Sequence, residues 1–162
     1  LVGGLAQYGG ALMAFGNCRA GSFVRLSQAK EAPNTVTWGR FNRKCLIRIP
    51  VVPLAADGRA VAPATVEFRL PDGSAHPHIL LAAVAQAMGA GRELDDLDEL
   101  LRRTRTEVGA AEAADATLVP RSFAEVADQF EEHRATFERG GVFPAHVVDR
   151  LLDGLRTGRW LK

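Results

Sequence analysis

The stretch RLSQAKEAPNTVTWGRFNRKCLIRIP (residues 25–50), followed after a spacer by TVEFRLPD (65–72), decides how this chain is read. Arg25, Arg40, Arg43, Arg48 and Arg69, with Glu31 and Glu67, punctuate segments that otherwise alternate like strands. Arginine offers a planar fork of donors that matches carboxylate and phosphate bidentately. Several arginines on neighbouring strands of one sheet predict a floor built for an anionic substrate. The alternative is a sheet with a charged, solvated face.

Within CLIRIPVV (45–52), Arg48 interrupts an apolar strand pattern. Arginines in such runs seldom face a core unpaired, so Arg48 points to solvent or at an anion. In ATVEFRLP (64–71), Glu67 and Arg69 lie two apart and share one face, while Val66, Phe68 and Leu70 line the other. That acid and base either pair with each other or divide a metal and an anionic substrate between them.

Working outward, residues 1–15 predict an apolar helix weakened by Gly3, Gly4, Gly9 and Gly10. Residues 22–28 (SFVRLSQ) and 35–39 (TVTWG) read as strands, and AKEAPN (29–34) as a loop carrying Glu31. Pro77 suits the first turn of a helix over 79–91 that is apolar nearly all round and is expected to pack under the sheet. His76 and His78 have a spacing that can serve a metal on a strand, but no third ligand lies nearby, so packing or contacts that support a site from behind are their expected roles. ELDDLDELLRRT (93–104) runs from acidic to basic, complementing a helix dipole. Residues 105–119 read as a surface excursion. Ser122 and Glu125 have capping-box spacing at the head of a helix that stops at Gly140 and Gly141, with Val126, Phe130, Arg134 and Phe137 as its inner stripe. Residues 145–158 predict a last amphipathic helix.

Composition narrows the classes. A chain of 162 residues with 47% hydrophobic and 24% charged residues is ordinary for one globular domain or part of a larger one. A net charge of +1 with no basic run gives no case for a nucleic-acid partner. No apolar run reaches the roughly 20 residues of a membrane span, so no membrane partner is expected and the cytoplasm is the default compartment. Cys18 and Cys45 are too few for a disulfide framework or a zinc site and read as small buried fillers. Gly-rich phosphate loops are absent, so any bound ATP must be held by the arginine-bearing sheet. The chain starts at Leu1 in mid-pattern, which points to the C-terminal piece of a longer protein.

Four segments, in order, resemble the C-terminal part of the glutamine synthetase catalytic domain. SFVRL with KEAP is similar to N-S-Y/F-x-R-L followed by Y/F-E-A-P, and WGRFNRKCLIRIP to W-x-x-x-N-R-S/T-x-x-I/V-R-I/V-P. VEFRLPDGSAHPHILLAAVAQA resembles I/V-E-x-R-x-P-D-P/S-A/S-x-N-P-Y-L, and FERGGVFPAHVVDRLL the family's final helix pair. The resemblance implies an α+β fold: an antiparallel curved sheet backed by helices, with the sheet and site residues in 1–91 and C-terminal helices in 92–162.

It also implies ATP-dependent ligation of ammonia to the γ-carboxylate of glutamate through a γ-glutamyl phosphate, the glutamine-forming step of nitrogen metabolism. On that reading Arg25 holds the substrate carboxylate. Glu31, on a flap, shields the acyl phosphate and takes a proton from ammonium. Arg43 and Arg48 hold ATP phosphates, Glu67 ligates Mg2+ or Mn2+, and Arg69 contacts the γ-carboxylate and the developing phosphate. Partners are glutamate, ATP, ammonia or a small amine, and further copies in a ring-shaped homo-oligomer. The family's other metal ligands lie upstream of Leu1, so the chain alone is expected to be inactive.

Departures open two alternatives. Thr65 stands where the family commonly has arginine, and His76 and His78 replace its asparagine and tyrosine. Val24 and Cys45 also depart, and ELDDLDELL lacks the tyrosine that is adenylylated in the classical bacterial type. These point to a divergent member: a γ-glutamyl-amine ligase of the polyamine or ethanolamine type, or a non-catalytic sensor or assembly protein.

Overall fold

The computed structural model describes residues 1–28, 32–110 and 116–158. The chain opens with α1 (Val2–Gln7) and α2 (Gly9–Gly16), two helices where one was expected over 1–15. They part at Tyr8, whose backbone (φ −104°, ψ 7°) leaves the helical region between two glycine pairs. Both are core helices, with Leu12, Met13 and Phe15 at 2% exposure or less.

The glycines of α1 serve close approach. A Cβ at Gly4 would fall onto the Ala87 carbonyl oxygen of α4 (Pro77–Ala90), and one at Gly91 would fall onto the Gly4 backbone. The two segments meet backbone to backbone, which a side chain on either would prevent.

Residues 22–28 form no strand. They belong to α3 (Ala20–Ser27). Helical spacing brings Phe23 and Leu26 to one inner face: Leu26 is buried and Phe23 meets Phe123 edge-on at 4.8 Å. A seven-residue run is too short for apolar alternation to separate a strand from one helical stripe.

The sheet is small and mixed rather than antiparallel. Its order is β1 (Trp38–Arg40), β2 (Ile47–Ile49), β3 (Glu67–Phe68). β1 and β2 run parallel with Gly39 opposite Arg48; β2 and β3 run antiparallel with Arg48 opposite Glu67. Parallel neighbours usually need a crossover of about a dozen residues. Here the strands are 3 residues long, and residues 41–46 suffice for the return. The tight reversal puts Phe41 at φ 61°, a left-handed backbone unusual for a bulky side chain. Asn42 ties the reversal down: its Oδ1 accepts from Lys44 N at 3.0 Å and its Nδ2 donates to Glu107 O at 3.2 Å.

Trp38 is anchored by its indole N–H, which donates to Leu101 O at 2.8 Å. Between β2 and β3 an exposed turn pairs Leu54 with Ala60 and closes through Gly58 at φ 81°.

Against expectation, α4 packs against α1, α2 and α7 (Arg134–Glu138) rather than under the sheet. Only Ala83 and Ala87 of it are buried, and Leu81 is 65% exposed. α5 (Leu97–Thr104) starts later than its sequence pattern. α6 (Phe123–Glu132) opens on the expected capping box: Ser122 Oγ accepts from Glu125 N at 3.2 Å, and Glu125 Oε2 accepts from Arg121 N at 2.9 Å. The helix breaks at His133, and α7 (Arg134–Glu138) carries on after it to a turn in which Gly140 and Gly141 both have positive φ. Phe130 and Phe137 are fully buried around Phe15. Arg134, placed in the same stripe by the sequence, instead pairs outward with Glu138 at 2.6 Å and Asp149 at 3.1 Å. The last helix is α8 (Ala145–Thr157). The architecture is α+β, helix-rich, with one small sheet.

Candidate functional site

Three of the sequence-predicted residues come together on the outer face of β2 and β3. Arg48 Nη1 donates to Glu67 Oε2 at 2.6 Å, and Arg69 Nε approaches Glu67 Oε1 at 3.2 Å. The strand period explains this: Ile47, fully buried, takes the inner face, so Arg48 turns outward opposite Glu67. Arg69 is steadied from behind, its backbone N–H donating to Leu46 O at 2.9 Å and Nη1 to Cys45 O at 3.4 Å. One carboxylate between two guanidiniums leaves a net positive face. The Arg48 Nε is buried without a hydrogen-bond partner among the described residues.

Arg25 belongs to the same edge. Its Nη2 donates to Leu70 O, the residue after Arg69, and that carbonyl also accepts from Asn17 Nδ2 at 3.0 Å. Arg25 Nε is likewise buried and unpartnered. Beside it lies a cleft of about 520 Å³ lined by Arg19, Ser22, Arg25, Asp72 and Ser74. Its wall is a linked set of bonds: Cys18 N donates to Ser74 Oγ at 2.9 Å, and Ser74 Oγ donates to Asp72 Oδ1 at 2.6 Å. Burial pushes the Asp72 carboxyl up, but the Ser22 and Ser74 hydroxyls, the Ser74 backbone N–H and the Arg25 charge outweigh it and hold Asp72 below the usual carboxylate range. Sequence reasoning passed over Asp72 and Ser74 because DGS reads only as turn chemistry.

Two predicted residues stand apart. Arg43 is exposed on the 41–46 reversal and makes no side-chain hydrogen bond or ion pair among the described residues. Glu31 lies outside the described residues. Arg40 ends β1, exposed.

The described residues do not fit a divalent cation by themselves. Glu67 is a single carboxylate already taken by two arginines, and no group of three His, Cys, Asp or Glu among them could hold a metal ion. His76 and His78 sit exposed with ring centroids 5.6 Å apart, and no third donor completes a set with them among the described residues. Burial pushes the Cys18 and Cys45 thiols up, away from the thiolate, which suits fillers rather than nucleophiles. No described helix is long and apolar enough to cross a membrane.

Compared with known proteins, residues 1–156 match the family model described as glutamine synthetase, catalytic domain. The glutamine synthetase of Streptomyces filamentosus is 29% identical over 157 residues, covering 96% of this chain and 32% of that protein. The Frankia alni glutamine synthetase is 31% identical over 153 residues, covering 94% of this chain and 31% of its own length. This chain thus spans about a third of the curated relatives it matches. Among solved structures, a cryo-EM structure of Plasmodium falciparum glutamine synthetase superposes with a TM-score of 0.72 at 16% identity, over 99% of this chain and 39% of that one. A crystal structure of a glutamine synthase homolog gives 0.69 at 22%, over 96% and 33%. At such identities the superpositions establish the fold.

Proposed function

Because this chain belongs to the glutamine synthetase catalytic-domain family, we propose that it supplies the anion-binding wall of an ATP-dependent ligase. That ligase joins ammonia to the γ-carboxylate of glutamate through γ-glutamyl phosphate. On this reading residues 1–162 are the C-terminal portion of the catalytic domain, working in the cytoplasm. The observation that carries it is the Arg48–Glu67–Arg69 cluster with Arg25 hydrogen-bonded to the next residue of the chain, Leu70: three guanidiniums gather there around one carboxylate and leave a net positive charge.

A γ-carboxylate oxygen attacks the γ-phosphorus of ATP and ADP leaves; the nitrogen lone pair of ammonia then attacks the acyl carbon and phosphate departs. The first step brings two anions together, so its barrier is mostly electrostatic and guanidiniums lower it. Arg43 and Arg48 hold the ATP phosphates. Arg69 steadies the γ-carboxylate and the phosphoryl group in transfer, and Arg25 holds the other end of glutamate. Glu31 takes the proton released from ammonium. Glu67 keeps Arg48 and Arg69 aligned. An Mg2+ or Mn2+ ion would need donors beyond the described residues, and further copies of the chain would complete a ring.

A second reading, favoured by Thr65, His76 and His78 in place of the family's residues, is ligation of a larger amine such as a polyamine or ethanolamine. The deciding assay is ADP release by the full-length protein carrying this chain, with ATP, Mg2+ and glutamate, offered ammonium and then amines. Turnover with ammonium supports the first reading, and turnover only with an amine supports the second. No ADP release from either would sink both and leave a sensor.

A further inference from the structure

Three consecutive residues at the end of α2 clasp the segment that follows β3. Gly16 O accepts from Asp72 N at 3.0 Å, and Cys18 N donates to Ser74 Oγ at 2.9 Å. Between them, Asn17 Nδ2 donates to Leu70 O at 3.0 Å and to Asp72 Oδ2 at 3.4 Å. The fit is close, since a Cβ at Gly16 would meet Pro71 at 3.0 Å. Of the three residues, only Asn17 donates from its side chain. It is 1% exposed, and its Oδ1 has no hydrogen-bond partner among the described residues. A buried amide oxygen left unpaired costs stability, so this side chain is not there for packing alone.

The carbonyl that Asn17 holds has a second donor. Leu70 O also accepts from Arg25 Nη2. Arg25 therefore rests on a backbone oxygen that Asn17 fixes, one residue along the chain from Arg69. Arg69 takes its place from the sheet instead, through Leu46 O and Cys45 O. The two guanidiniums thus have separate anchors, and Asn17 governs one of them.

On the proposed function, on which this rests, Arg69 steadies the γ-carboxylate and Arg25 holds the other end of the same molecule. The gap between the two guanidiniums then measures the length of a dicarboxylate. Small errors there are costly, since a misplacement of about 1 Å can lose about a hundredfold in rate. We infer that Asn17 is a positioning residue that sets this gap, so that glutamate is preferred to a dicarboxylic amino acid one methylene shorter. Asn17 touches no substrate and acts through the Leu70 carbonyl and Arg25.

Calorimetric binding of L-glutamate and L-aspartate to the full-length protein carrying this chain tests this, with Mg2+ and a non-hydrolysable ATP analogue present. Wild type is expected to prefer glutamate by about tenfold or more. Asn17→Asp keeps the shape of the side chain and puts an oxygen in place of the donor. It is expected to bring the ratio to within about threefold and to leave affinity for the ATP analogue unchanged. A merely structural role would weaken all three ligands together and leave the ratio alone. Gly16→Ala presses on Pro71 with Asn17 intact, is expected to lower the ratio in the same direction, and serves where Asn17→Asp does not fold. A glutamate-to-aspartate ratio that stays at the wild-type value in the folded variant overturns the inference and leaves the reading of Arg25 and Arg69 standing. No glutamate binding by wild type overturns both. Because the readout is binding rather than ligase activity, it stands apart from the ADP-release assay.

Discussion

Arg48 and Glu67 sit directly opposite each other on antiparallel strands, and their side chains meet at 2.6 Å. Arg69 closes on the same carboxylate from the far side at 3.2 Å. Glu67→Ala would leave two guanidiniums side by side with no shared anion, whereas Glu67→Gln keeps a carbonyl for one of them. Glu67 is 42% exposed, so solvent screens part of the loss. The expected cost of Glu67→Ala is about 1–2 kcal/mol, or roughly 2–8 °C in Tm. Thermal melts at low and high salt check it, with the gap narrowing as salt rises. Equal melting of the two proteins at low salt would mean that the pair stabilises nothing.

Gly4 and Gly89 make an internal control for backbone packing. Gly4→Ala drives a methyl into the Ala87 carbonyl and is expected to destabilise by about 2 kcal/mol or more. Gly89 lies on the open face of α4 with nothing within 4 Å of a new Cβ. Gly89→Ala should raise stability by about 0.5–1 kcal/mol through helix propensity alone. Chemical denaturation of the pair reads out both signs.

Asp72 carries a pH prediction. Its carboxyl is held below the usual range in the folded chain, so the stability it contributes is present above the unfolded value of about 3.9. That contribution is lost as pH falls through the lower, folded value. Asp72→Asn should therefore be less stable than wild type at neutral pH, and the difference should shrink as pH drops below about 4. Denaturation across that range measures it, and a gap independent of pH would contradict the assignment.

At the head of α6, Ser122→Ala removes the hydroxyl that accepts from Glu125 N. About 1 kcal/mol should be lost. Ser122→Asp should recover most of it, since aspartate caps as well and carries favourable charge at a helix N-terminus. Comparing the three melting curves separates capping from a general effect of substitution.

Part of the local geometry was legible in the sequence. Glu67 and Arg69 announced a shared face because strand alternation is strict, the capping box announced a helix start because it satisfies orphaned backbone groups, and Pro77 announced another because it has no N–H to leave orphaned. Tertiary forces hid the rest. Phe23 and Leu26 fit a strand and a helix equally well, and only packing against α6 decided for the helix. The parallel pairing of β1 and β2 was invisible because short connections normally join antiparallel strands. Arg134 kept the spacing of a core residue, yet Glu138 and Asp149 drew it outward. The apolar face of α4 promised a place beneath the sheet, but its inward contacts are with other helices.

The reversal at Phe41 also governs which changes of length this chain could survive over its descent. Residues 41–46 return the chain over a three-residue strand with nothing to spare, and Phe41 already sits at φ 61° to do it. One inserted residue there would slip β2 by a single position and exchange Arg48 with its apolar neighbours, turning a guanidinium into the core. The exposed turn closed by Gly58 lies under no such constraint and can grow or shrink without moving either arginine. Insertions and deletions should therefore gather between β2 and β3 and avoid the six residues after β1, however far the side chains there drift.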